Sequence, residues 1–471
     1  MRHVDTPQTR CRAGVARGDI TPPVGIYHRM WGAATHEQAT GVHRPLLATA
    51  LWLEPLAGDA AQVVVGIDHC IIDGADMAAM RTAAAEATGL TPGQVWIALS
   101  HTHGSGWMSR SRSHLPGGDL IGPYLDGLRQ TVARLAAEAK RTSRPATITY
   151  GQGRCALAAH RDYPDAATGQ VVCGFNPAGP ADDTVLIGRI TGEDGPIGTV
   201  VNYACHPTTL AWQNTLLSPD YVGALRDVVE TATGVPCLYL HGASGDLGPR
   251  EGYVGDVAVA DRNGRSLGYA VLSALELLPP AGTRFVYAGP VVSGATLGTW
   301  RHDPLDAASL ERQAAWSARE LTVDLPYRHD LPTVAETEAA HRHWSDAEAA
   351  AGDVDRARDC HAMVERMTRQ LTRLRAMPAG KFYPYRVALW RLGGAWWVFA
   401  PGELYQAFQT TLRSRHPGVP IVVATVTNDW QPGYVPAASS YGYGIYQDVI
   451  AAVAPGALEV LTEAIARALR T

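Results

Sequence analysis

The stretch Val95-Trp96-Ile97-Ala98-Leu99-Ser100-His101-Thr102-His103-Gly104-Ser105-Gly106 constrains this chain more than any other. An apolar run of β-branched and aromatic residues of this length reads as a buried strand. It stops abruptly in Ser-His-Thr-His-Gly. In α/β proteins the carboxyl ends of strands are where ligands gather. On a continuing strand His101 and His103 would share a face, and imidazole is the commonest protein ligand for zinc. Taken alone, one His-x-His in a chain with 17 histidines is a weak signal, more often an ordinary packing feature than a metal or catalytic element. The rest of the chain has to decide.

The flanking segments give that strand its context. Residues 46–53 and 62–67 read as strands around a turn at Ala57-Gly58-Asp59, and the second ends in Asp68-His69. An Ala-rich helix over about 75–88 follows, then Gly89 and the turn Thr91-Pro92-Gly93. This order predicts a βαβ crossover with a parallel pair, which brings Asp68 and His101 to the same end of neighbouring strands. A helix over 119–140 closes on Lys140-Arg141, which suit the negative end of its dipole. From residue 145 the pattern turns β-rich. Residues 147–151, 183–190 and 197–204 read as strands, with Gly192-Glu193-Asp194-Gly195 as a hairpin turn. The strand over 197–204 ends in Cys205-His206-Pro207, and one over 235–240 ends in His241-Gly242. Three strands thus end in a histidine followed by a glycine- or proline-containing turn, a recurrence that packing alone does not explain.

Residues 304–378 differ from their surroundings in being rich in Ala, Glu, Arg, Asp and Leu. Residues 309–320 and 334–374 show helical spacing with charges on the opposite face, which predicts an inserted helical hairpin or lid. Its histidines His341, His343 and His361 read as a solvated face. Strands resume at 385–392 and 396–400. The second ends in Pro401-Gly402-Glu403, with Glu403 expected in the first turn of a helix to about Arg413. A strand over 421–427 leads into Asn428 through Pro436, then Tyr441, Tyr443 and Tyr446, and a last helix over 456–470. Trp31, Trp107, Trp300 and Trp430 fall in loops near these strand ends, as pocket lining or as ordinary packing.

Composition excludes several classes. The 471 residues are 46% hydrophobic and 18% charged, a globular balance with room for one large core or a few domains. A net charge of −5 gives no basic field for nucleic acid. No charge-free stretch is long enough to insert in a membrane as a helix. Residues 1–8 lack the apolar core of a signal peptide. The seven cysteines are scattered without a Cys-x-x-Cys pair and read as small buried apolar residues in a reducing compartment. A cytoplasmic location is the resulting expectation.

Several ordered blocks resemble the neutral (non-lysosomal) ceramidases and their bacterial relatives. They are Ala13-Gly14 through Pro22, Ser100 through His103, Asn202-Tyr203-Ala204-Cys205-His206-Pro207-Thr208, Gly242 through Pro249, Pro401-Gly402-Glu403, and Asn428 through Val435. The likeness covers most of the chain outside 304–378. It implies an α/β mixed-sheet catalytic domain, here one domain over 1–471 with the helical segment 304–378 inserted. It implies one zinc per chain, held by His101, His206, Glu403 and a tyrosine, carried over to Tyr434 with Tyr441 as the alternative. It implies that His103 polarises the substrate carbonyl and that Arg161, ahead of Asn176-Pro177, binds substrate, with Gly248 and Tyr441 beside it. Two departures stand out. The ceramidase block Gly-Asp-Val-Ser-Pro, with its essential serine, here reads Gly245-Asp246-Leu247-Gly248-Pro249. The secretion signal and C-terminal immunoglobulin-like domain of ceramidases are not expected either. Both departures point away from ceramide as the substrate.

Two or three histidines with one carboxylate are the ligand set of a catalytic zinc with an open position. The expected activity is hydrolysis of an amide (C–N) bond in a small or medium-sized substrate by zinc-activated water. His103 would stabilise the oxyanion or protonate the leaving nitrogen. Asp246 would orient a ligand histidine or accept the water proton, and Arg161 would clamp a carboxylate. An ester or lactone hydrolase, an acyl-transfer enzyme and a non-catalytic binding protein of the same fold are the alternatives. The expected partner is a small-molecule substrate, with a homo-oligomer left open.

Overall fold

The computed structural model describes residues 2–58 and 60–470; Asp59, the last residue of the first expected turn, lies outside them. The chain folds as stacked layers around two sheets. Strands β1 (Gln8–Asp19), β2 (Leu47–Glu54) and β3 (Gln62–Ile67) are followed by helix α1 (Gly74–Thr88) and β4 (Val95–Leu99). Helix α2 (Ile121–Arg141) leads to β5 (Arg144–Arg154), β6 (Thr184–Gly192) and β7 (Gly195–Tyr203), and α3 (Tyr221–Thr233) to β8 (Cys237–His241). These strands form an eight-stranded sheet in the order β8-β7-β6-β5-β1-β2-β3-β4. Its five inner pairings are antiparallel. Each outermost pair is parallel, β3 with β4 across α1 and β7 with β8 across α3. Both edges are therefore βαβ units, and the five antiparallel pairings between them make the two units run in opposite directions along the sheet.

A period of two along the strands sorts the layers. Val95, Ile97 and Leu99 face a core built with α1 and α2. Trp96 and Ala98, between them, face a second core that includes Trp390, Trp397 and Phe399. With apolar partners on both sides, these strands read as unbroken hydrophobic runs. The second core belongs to a four-stranded sheet of β11 (Trp316–Pro326), β12 (Phe382–Leu392), β13 (Ala395–Phe399) and β15 (Ile421–Ala424). The hairpin β9 (Thr283–Ser293) and β10 (Ala295–Pro304) precedes it, after α4 (Val257–Glu276). Helices α3 and α4 cover the β6–β8 side of the large sheet. Helices α8 (Ala407–Arg415) and α9 (Ala457–Ala468) cover the outer face of the small one.

The large sheet curls until its edges meet. The backbone after β15 ties them together: Leu99 N donates to Val426 O (3.2 Å) and Asn428 N to Ile97 O (2.8 Å) on one side, while Thr425 N donates to His241 O (2.8 Å) on the other. Val426 takes φ 52° in this stitch, a left-handed conformation that a β-branched residue adopts only under constraint. His101 comes within ring contact of His241 (centroids 5.5 Å apart) although β4 and β8 are opposite edges.

Two expectations need correction here. Residues 316–326 are not helical; β11 pairs along its whole length with β12. The helical part of the inserted segment is α5 (Ala307–Gln313) and the hairpin α6 (Val334–Ala349) and α7 (Val354–Ala376). Glu403 does not open a helix either. It starts the short strand β14 (Glu403–Leu404), which pairs in parallel with β16 (Tyr434–Val435) before α8 begins.

Candidate metal centre

The strand-end residues fall into two groups. Asp68 ends β3, but its carboxylate turns away from the histidines. It accepts both arms of Arg226 from α3 (2.5 and 2.7 Å) and the amide of Leu47 (2.9 Å). It is a structural tie between sheet and helix, not part of the site.

The second group converges. Immediately after β4, His101 takes φ 66°, a backbone cost on the order of 1–2 kcal/mol. That kink is held by His101 N donating to His69 O (2.9 Å) and swings the imidazole inward. Its Nδ1 lies 3.1 Å from the Cys70 carbonyl, and its Nε2 lies 3.3 Å from Glu403 Oε2. His206, after β7, repeats the pattern: Nδ1 lies 2.7 Å from the Ser244 carbonyl and Nε2 lies 3.0 Å from the same Glu403 oxygen. A carbonyl only accepts, so each Nδ1 carries a proton, and in the neutral ring each Nε2 presents a lone pair. In that form two lone pairs face a carboxylate oxygen in a buried site, which calls for a cation among them, a proton or a metal ion. The three ligand atoms lie within 4.8 Å of one another. Cys70, His101 and His103 form a second such group, but the His101 Nδ1 that faces Cys70 is already spent on the Cys70 carbonyl. The donor set of His101, His206 and Glu403 suits zinc.

Without an ion, the electrostatics pair Glu403 with a proton on His101. Burial pushes the Glu403 carboxyl up, but the two imidazoles outweigh it and hold it well below the usual carboxylate range. His206 is pulled down to about 4 by burial and then by Arg161. Burial also lowers His101, but Cys70 and Glu403 overcome it and raise the net value. His103 is driven well below its ordinary value by burial and by His101 and His206 beside it, so it is neutral. Its Nε2 is buried with no hydrogen-bond partner, and its ring packs on Trp31 at 4.9 Å.

Tyr434 and Tyr441 separate cleanly. Tyr434 sits next to Glu403 by strand pairing, stacks on His206 at 18°, and holds its hydroxyl 3.5 Å from His206 Nε2. Tyr441 packs under Arg328 and donates to Val453 O, outside the cavity that Tyr434 lines. The expectation that it binds substrate is corrected. Arg161 is buried, lies 5.3 Å over the Tyr434 ring and donates to Gly245 O (2.6 Å). Gly248 lies beside it; a Cβ there would meet only Arg161 and Thr208 at 3.8 Å. Packing would therefore admit a serine.

Asp246 is corrected as well. Its carboxylate accepts the amide and the side chain of Gln406 (2.8 and 2.9 Å), which anchors the turn after Glu403. It touches no ligand histidine. Ser244 does that work, giving its carbonyl to His206 and its hydroxyl to His241 Nε2 (2.8 Å). The neighbouring Gly245 allows this: any Cβ would strike Glu403 O and Leu404 O at 2.9 and 3.0 Å. His241 completes the cluster of rings, 5.8 Å from His206. Its signal was present in the sequence, since it too ends an apolar strand before glycine.

The centre opens into a cavity of about 660 Å³. Trp31, Trp107 and Trp430 line it, with Met30 and Ile71 and one face of α7. Trp300 does not; it packs on Phe285 in the β9–β10 hairpin. Helix α7 is fixed over the cavity by a buried bidentate pair, Arg112 to Glu365 (3.2 and 2.8 Å). Among the described residues no helix is long and apolar enough to cross a membrane.

No family model and no curated protein matches this sequence. Solved structures do. The neutral ceramidase from Pseudomonas aeruginosa superposes with a TM-score of 0.66 at 17% identity, covering 99% of this chain and 75% of that one. A ceramidase complexed with C2 gives 0.64 at 17% identity, with 99% and 76% covered. With strand ends, site and insertion all inside the superposed length, this chain has a neutral-ceramidase-like α/β fold.

Proposed function

We propose that the protein is a zinc-dependent hydrolase that cleaves an amide (C–N) bond in a small or medium-sized substrate other than ceramide. One observation carries the reading: two Nε2 atoms and one carboxylate oxygen are aimed at a common point, the two rings being locked by Nδ1 bonds to backbone carbonyls. His101, His206 and Glu403 would hold the ion, with the Tyr434 hydroxyl beside them. When bound, such an ion supplies a water-derived nucleophile at neutral pH and polarises a carbonyl. The chain supplies the rest. His103, neutral and with an unspent Nε2, would donate a hydrogen bond to the developing oxyanion, or take the proton released by the attacking water and return it to the leaving nitrogen. Arg161 holds a polar group of the substrate next to Tyr434. Trp31, Trp107 and Trp430 exclude water and take an apolar portion. The glycine at 248 in place of the ceramidase serine supports a substrate other than ceramide.

Elemental analysis of purified wild type beside His101→Ala, paired with an amide and ester hydrolysis panel, tests this. About one zinc in each wild-type chain and amide cleavage, both lost in the variant, is expected. Full turnover without zinc, or cleavage confined to esters, overturns it.

A further inference from the structure

The charges around the cavity do not balance. Four guanidinium groups line it, Arg161 and the α7 residues Arg366, Arg369 and Arg373. The carboxylates among its lining residues are Glu365 and Glu403. Glu365 is consumed by Arg112 in a bidentate pair, and Glu403 faces the imidazoles. None of the four arginines has an ion-pair partner among the described residues. Arg161 donates to the Gly245 carbonyl, Arg369 to the Met30 carbonyl, and Arg373 to Gln370 Oε1 (2.7 Å) and Ile450 O (3.0 Å). The Arg366 guanidinium has no hydrogen bond among the described residues.

The placement is periodic as well as charged. Positions 366, 369 and 373 recur at three and four residues, so they share one face of α7. That face is directed at the cavity by the Arg112–Glu365 tie and by stacking on its aromatic wall: Arg369 lies 4.7 Å over Trp107 and Arg373 5.9 Å over Trp430. Arg161 and Arg373 are both more than nine-tenths buried, and the Nε atoms of Arg161, Arg369 and Arg373 are buried without a partner. Burying cations without counter-ions is costly, and guanidinium forks match oxyanions geometrically.

We propose that the substrate is an acid: Arg366, Arg369 and Arg373, with Arg161, bind an oxyanion group, carboxylate or phosphate, of the molecule whose amide bond reaches the metal centre. The apolar part between anion and amide rests on the tryptophans. This rests on the hydrolase reading for the amide bond alone. The anion site exists whether or not the centre turns over, and it makes the helical hairpin the specificity element of the enzyme.

The test uses protein stripped of metal with EDTA, so that a carboxylate cannot bind through zinc. Calorimetric titrations at low ionic strength compare 4-phenylbutyrate, 3-phenylpropyl phosphate and the neutral 4-phenylbutyramide. The anionic probes are expected to bind at least ~10-fold more tightly than the amide, the factor that one charge-assisted contact of about 1.4 kcal/mol supplies. The preference should fall with added salt, collapse in Arg366→Gln and Arg369→Gln, and be partly kept in Arg366→Lys. The tighter of the two anionic probes assigns the oxyanion. The Arg366 side chain has no hydrogen bond or ion pair among the described residues, so its variants should melt as wild type does, and a melting curve checks this. Equal binding of acid and amide by wild type, or an unchanged preference in both glutamine variants, overturns the proposal. Zinc content and amide cleavage of the same preparations judge the hydrolase reading separately. Anion binding without cleavage defeats that reading alone, and cleavage without anion preference defeats this one alone.

Discussion

Two buried polar clusters sit at strand ends of the large sheet, and they differ in kind. At the end of β3, Asp68 meets Arg226 with opposite charges and two hydrogen bonds, the side chains 0% and 5% exposed. At the ends of β4 and β7, two imidazoles converge on the single carboxylate of Glu403, and His103 Nε2 beside them has no partner among the described residues. The first cluster is one cation on one anion. The second gathers donor atoms of the kind that hold a metal ion. Burial and strand-end position are common to both, so neither identifies a site; the kind of atoms gathered does.

Substitutions can break that distinction. His206→Ala should remove zinc and lower turnover by at least ~1,000-fold, read by elemental analysis and initial rates; a zinc-loaded, active variant would dissolve the contrast. Asp68→Ala should cost about 3–5 kcal/mol of stability, because it strands a buried arginine, yet leave zinc in each folded chain unchanged. Denaturant titration with metal analysis checks both halves. Tyr434→Phe should weaken zinc affinity or turnover on the order of 10–100-fold, while Tyr441→Phe, outside the cavity, should change neither measurably. Asp220, the N-cap of α3, sharpens the comparison as an intermediate case. It is buried with amide donors from Leu210 and Tyr221 but no cation in hydrogen-bond contact, and burial raises its pKa to about 6. Its folded value exceeds its unfolded one, so the native state binds the extra proton between them. Stability therefore falls as pH rises from about 4 to about 6. Asp220→Asn should flatten that part of the melting-temperature profile, and an unchanged slope would assign it to other groups.

The first βαβ unit was legible in the sequence because three signals coincided: an apolar run, an Ala-rich helix and a glycine stop. His101, His206 and Glu403 were legible for the same reason, each following a strand at a backbone break. Strand β11 was not. Its Ala318, Arg319, Glu320 and Leu321 favour helix locally, and only pairing with β12 overrides that preference. Helix α3 left no helical signature, since Val222, Val228, Val229 and Thr231 dilute its propensity. Asp246 looked like a site residue by position, but nothing in the sequence shows that Gln406, far along the chain, claims its carboxylate. The arginines of α7 resemble any solvated helix face until the tertiary structure lays that face over the cavity.

The manner in which the α6–α7 hairpin is mounted has an evolutionary consequence. The chain leaves the small sheet at Pro326 and re-enters at Phe382, and these two residues are register partners in adjacent strands. A segment whose two ends are neighbours can be lengthened, trimmed or exchanged without moving a strand. The candidate metal ligands His101, His206 and Glu403 all lie outside it, so the frame that holds them and the hairpin laid over the cavity are free to be inherited separately.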